Sequence, residues 1–127
     1  MRKLKLTNPE TLYLQARKPT FEELNGHWKV LAHGLVRPSN LFGDHKTIND
    51  GQGSNQLFDR LQWGFFTIKQ GDDYLVLDYD HPRNHPLLRP IKDRVRLVAP
   101  GRFIGRFYYG EKAFFWFSLI AAEGRSR

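Results

Sequence analysis

From Gly26 onward, apolar residues recur at every second position, and turn signals interrupt the pattern at short intervals. A period of two puts one set of side chains on each face of a pleated strand. Between His27 and His33, Trp28, Val30 and Ala32 share one face, and His27, Lys29, Leu31 and His33 share the other. Gln62–Lys69 and Tyr74–Asp80 form a hairpin around Gly71-Asp72-Asp73. In the second of these, Leu75, Leu77 and Tyr79 oppose Tyr74, Val76 and Asp78. Ile91–Val98, Arg102–Tyr109 and Ala113–Ala121 continue the alternation. Their turns are Ala99-Pro100-Gly101, in the order that a type II turn favours, and Gly110-Glu111-Lys112. His81–Pro90 holds three prolines and reads as a loop. Residues 37–60 read as irregular, with at most a weak strand near Thr47–Ile48 or Asn55–Phe58.

Helical signals are confined to the start. Asn8-Pro9-Glu10 offers a cap, a fixed φ and an acid at the positive helix end, which predicts a helix over about Pro9–Arg17. Thr20-Phe21-Glu22-Glu23 is a capping box that opens about one turn before Asn25-Gly26 stops it. Crowded strands after short helices predict a mostly β fold: an antiparallel barrel with one or two short N-terminal helices. Residues 1–25 are then a helical segment, 26–121 the barrel and 122–127 a frayed tail, all within a single domain.

Composition narrows the function classes. There are no cysteines, so a disulfide framework, a thiolate metal site and a cysteine nucleophile are excluded. The basic N-terminus has no apolar run behind it and does not read as a signal peptide. No stretch is apolar for long enough to span a bilayer as a helix. The expectation is a cytoplasmic protein. The formal charge is +7, with basic residues concentrated at Arg89, Lys92, Arg94, Arg96, Arg102 and Arg106. Such an excess permits binding to nucleic acid, but no RNA-recognition sequence run accompanies it, which disfavours that partner.

Gly26-His27-Trp28, a glycine and a strand-borne indole after a short helix, resembles the Gly-x-Trp signature of the lipocalins and the wider calycin-type barrels. That resemblance implies a barrel closed at one end by Trp28. It also implies a basic residue packed over the indole, for which Arg106 is the nearest candidate, since Ala113–Ile120 contains no arginine. The cysteines common in that family are absent, and the chain is shorter than a typical lipocalin. A looser similarity links Asp78-Tyr79, Asp93 and Phe114–Phe117 to uncharacterised bacterial domains with a Gly-x-Trp-x-Gly start.

Asp93 stands out because it is in phase with Val95 and Leu97, which aims its carboxylate at the core. A buried carboxylate needs a partner or a raised pKa. Arg106 is the candidate partner if its face points inward; otherwise Tyr79 or a backbone group must serve. The leading reading is a barrel that binds a small, largely apolar molecule. Trp28 plugs one end, Trp63, Phe66, Tyr79, Tyr108 and Trp116 line the wall, and Asp93 and Arg106 anchor a polar group. An enzyme would use the same pocket, with Asp93 as general acid or base and Tyr79 or His81 assisting. No cofactor is implied. His81 and His85 flank a loop but lack the companions that a metal site needs. Asp50-Gly51-Gln52-Gly53-Ser54 lacks the ending and context of a phosphate loop and reads as a flexible loop. The rings between Phe103 and Phe117 occupy both faces of their strands. One set belongs to the core, and the other is exposed, inviting a homodimer or ligand contact, unless the N-terminal helix covers it.

Overall fold

In the computed structural model, residues 8–33, 45–57 and 61–122 are described, residues 57 and 61–63 by their backbone alone. The elements are α1 (Pro9–Gln15), α2 (Phe21–Leu24), β1 (Gly26–His33), β2 (His45–Asn49), β3 (Gln52–Leu57), β4 (Leu61–Gln70), β5 (Leu75–Asp78), a 3-10 turn (Pro86–Leu88), β6 (Ile91–Ala99), β7 (Arg102–Tyr109) and β8 (Lys112–Ala121). Each strand pairs antiparallel with its sequence neighbour, and β8 closes onto β1. The result is an eight-stranded up-and-down barrel with no open edge.

The two helix starts form as their sequences dictate. Asn8 Oδ1 accepts the Thr11 N–H, and Thr20 and Glu23 satisfy each other's backbone donors. Helix α1 stops at Gln15, two residues earlier than expected, and Arg17 instead makes a β-bridge with Leu97.

The expectation of an irregular 37–60 is corrected by a hairpin. β2 and β3 pair in register across Asp50-Gly51. Both turn residues have positive φ, 56° and 82°, as a type I′ turn requires, and Asp and Gly tolerate that region best. The remainder of that segment, 37–44 and 58–60, lies outside the described residues, as does the expected tail beyond Ala122. At Ala99-Pro100-Gly101, Gly101 takes φ 81°, in keeping with the type II expectation.

The core is the barrel interior. Trp28, Ile48, Phe66, Ile68, Leu75, Leu77, Val95, Leu97, Phe103, Phe117 and Leu119 are among the side chains buried there. At the α2 end, Trp28 meets Phe103 edge-on at 5.0 Å and donates from Nε1 to the Leu24 carbonyl at 2.7 Å. The opposite end is crossed by the β5–β6 connection. Its buried Asn84 donates to the carbonyls of Phe65 and Tyr79 and accepts the Phe65 N–H. Helix α1 packs outside the barrel, on β6, β7 and β8.

Candidate functional site: a charged cluster inside the barrel

Four polar side chains from four places along the chain converge in the interior. Lys46 comes from β2, Asn55 from β3, Tyr79 from just beyond β5, and Asp93 from β6. All four are buried. Lys46 Nζ donates to Asn55 Oδ1 at 2.7 Å and to Tyr79 Oη at 2.8 Å, and lies 3.7 Å from Asp93 Oδ2. Asn55 Nδ2 donates to Tyr79 Oη at 2.8 Å and to the Gly64 carbonyl at 3.1 Å. The Tyr79 hydroxyl also interacts with the Asp93 carboxylate, which favours the charged carboxylate.

Backbone irregularity supplies part of this geometry. Asn55 stands opposite Trp63 while Ser54 stands opposite Phe65, so Gly64 is the extra residue of a bulge. Its φ of +61° suits glycine, and a Cβ there would meet Asn55 Nδ2 at 2.9 Å.

The Lys46 ammonium also lies over three rings, at 5.3 Å from the Phe66 centroid, 5.5 Å from Tyr79 and 5.8 Å from Phe117. Two of these rings sit against glycines. A Cβ on Gly53 would reach 2.5 Å from Phe66, and one on Gly105 would reach 2.5 Å from Phe117. The missing methyls let both rings lie back against the wall.

Burial governs the ionisation of the cluster. Desolvation raises the Asp93 carboxyl to about 6, against the opposing pull of Lys46 and the Tyr79 hydroxyl. Desolvation lowers the Lys46 ammonium, with Asp93 partly restoring it. Burial and the nearby Asp93 charge push the Tyr79 phenol well above its ordinary value. Burial thus works against the charged form of each of these groups, and the attraction between Lys46 and Asp93 works against burial.

The expected site residues divide between the two sides of the wall. Trp28, Phe66, Tyr79 and Asp93 are interior. The Trp63 side chain lies outside the described residues. Arg106, Tyr108 and Trp116 are corrected: they alternate against Phe103, Gly105 and Phe117 and face outward. Arg106 stacks on Trp116 at 4.4 Å, not on Trp28, and Phe103 occupies the place beside that indole. The partner of Asp93 is therefore Lys46. His81 lies beside the Phe65 ring at 5.7 Å, and its Nδ1 accepts the Arg83 N–H. It has no place beside Asp93. His85 Nδ1 likewise accepts the Leu87 N–H. Among the described residues, no group of three or more metal-binding side chains gathers, and no helix is long and apolar enough to cross a membrane.

Lys46 and Asn55 escape a reading of the sequence because their hairpin does. The Asp50-Gly51 dipeptide, with Lys46 and Ile48 two apart before it, is the signal that could have revealed them.

No protein-family model matches the chain, and no curated protein does either. Among solved structures, a protein from Thermomonospora curvata is similar over 90% of this chain and 85% of its own, with a TM-score of 0.58 and 15% identity. At that identity the likeness speaks for the fold alone. The barrel is thus an arrangement that another, distantly similar chain also adopts.

Proposed function

We propose that the barrel binds a small, largely apolar molecule in its interior, at the end crossed by the β5–β6 connection. The observation that carries this reading is the Lys46–Asn55–Tyr79–Asp93 cluster, set in otherwise apolar surroundings. An interior ion pair is a weak device for stability, because desolvating two charges offsets most of their attraction. Ligand pockets, in contrast, are apolar with a few convergent polar groups. An eight-stranded barrel has room for side chains or for one small ligand, as in lipocalins. The up-and-down strand order and Trp28 at the helix-bearing end support a lipocalin-like kinship, while Phe103 beside the indole departs from it.

Native mass spectrometry of freshly purified protein tests the reading, together with titration of the neutral dye Nile red. A bound mass released on denaturation, or saturable one-site dye emission, is expected. A bare mass with a flat titration would remove the basis for it.

A second reading, an enzyme using Asp93 as general acid or base, draws on one observation. Its carboxyl is held at about 6, near the pH where a proton can be both taken and returned. Turnover abolished in Asp93→Asn while apolar binding persists would favour it.

A further inference from the structure

The donors of the interior cluster are directed at one another. Lys46 Nζ donates to Asn55 Oδ1 and Tyr79 Oη, and its charge faces Asp93 Oδ2 at 3.7 Å. Both N–H groups of Asn55 are engaged, by Gly64 and Tyr79. The Tyr79 oxygen accepts from Lys46 and Asn55, which leaves its own proton for Asp93. The acceptors are not exhausted. Asp93 Oδ1 is buried with no hydrogen-bond partner. A buried carboxylate oxygen left unpaired is costly, so it marks a position that something with a donor would complete.

Apolar surface lies beside that oxygen. Phe107 stands directly across from Asp93 on β7, stacked on Phe115 at 4.7 Å and 11°. Both rings are only partly buried, and Leu88, from the connection that crosses this end, packs against the same core.

We propose that the ligand is an apolar alcohol, whose hydroxyl donates to Asp93 Oδ1 and whose hydrocarbon part lies along Phe107 and Phe115. This rests on the interior-binding reading and adds a specificity to it. A buried lysine in a barrel would ordinarily suggest an anchor for a fatty-acid head group. Here the lysine is already committed to Asn55, Tyr79 and the Asp93 charge, and a second carboxylate would meet the like charge of Asp93. The site therefore selects against anions. A site built around a substrate hydroxyl rejects analogues lacking it because its own buried group is left unpaired.

Calorimetric titration at pH 8 with 1-decanol and with decanoate tests this, because the two probes differ only in the head group. The alcohol is expected to bind at least about tenfold more tightly than the acid. The Asp93 carboxyl carbon resonance is expected to move on adding 1-decanol and to stay still with decanoate. In Asp93→Asn, which removes the charge and supplies N–H donors, the preference is expected to narrow or invert. The wild-type resonance gives the same answer if that variant does not fold. Decanoate binding as tightly as the alcohol, or an Asp93 resonance unmoved at saturation, would overturn the assignment. Failure of both probes to bind would instead count against interior binding itself.

Discussion

Two consecutive residues of β8 carry the same kind of contact on opposite sides of one wall. Phe117 faces inward beneath the Lys46 ammonium, and Trp116 faces outward beneath the Arg106 guanidinium. The outer contact belongs to a wider set. Arg94 stacks on Tyr74 and Tyr108 at 4.8 and 4.4 Å, Arg96 on Tyr13 at 5.0 Å, and Tyr13 leans on Trp116 at 5.2 Å. Arg94 and Arg106 are even direct cross-strand neighbours, a like-charge pairing that a buried site would not tolerate. The outer surface tolerates it because water screens half-exposed charges and the guanidinium is weakly hydrated. Inside, the same attraction is accompanied by a counter-ion and by hydrogen bonds to Asn55 and Tyr79. Burial, not the contact type, sets what each cation needs.

The comparison can be broken first from the inside. Asp93→Ala or Lys46→Ala leaves its former partner buried and unpaired. A loss of about 3–5 kcal/mol is expected in denaturant unfolding. The double change Lys46→Met with Asp93→Leu should recover most of that stability. If each single change costs no more than an exposed arginine does, the inside–outside distinction fails.

The next largest effect concerns pH. The folded Asp93 pKa, about 6, lies above its ordinary 3.8, so between these values the folded state binds more protons than the unfolded state. Stability from this group is greatest at acidic pH and falls as pH rises from about 4 to 6, by on the order of 3 kcal/mol relative to Asp93→Asn. NMR titration of the carboxyl should show the same elevated midpoint. A midpoint near 4 would mean that the interior is wet.

The glycine seats come third. Gly105→Ala drives a methyl into the Phe117 ring, and about 1–3 kcal/mol is expected from the resulting strain. Lys46 and its neighbours should shift in the NMR spectrum, while the Tyr13–Trp116 contact outside should not. Smallest is Arg106→Ala, expected to cost about 0.5–1 kcal/mol in thermal unfolding. A larger loss would show that the outer ladder supports the fold more than its exposure suggests.

The same inside–outside division explains what the sequence disclosed. Asp93 was legible because Ile91, Val95 and Leu97 keep strict phase around it. The capping box at Thr20 and the strands after Leu61 were legible for the same reason: local chemistry and global fold agree there. The hairpin at Asp50-Gly51 was not, because its inward positions include Lys46, Gly53 and Asn55. Polar residues and glycine erase the apolar alternation that marks a strand. The residues that furnish the interior cluster are thus the ones that hid the strands bearing them. Arg106 misled for the converse reason: with charge on one face and rings on both faces of β7, alternation alone does not tell which side is wet.

The closing pair of strands has a kinetic meaning. β1 and β8 join opposite ends of the chain, with Trp28 opposite Ala121, whereas every other pairing links sequence neighbours. The hairpins can form locally in microseconds, but the seam must wait for a long loop to close. Until it does, β1 and β8 are unpaired edges, open to another copy of the chain. Aggregation during refolding should therefore rise with protein concentration and be relieved by circular permutation that joins the termini across this seam.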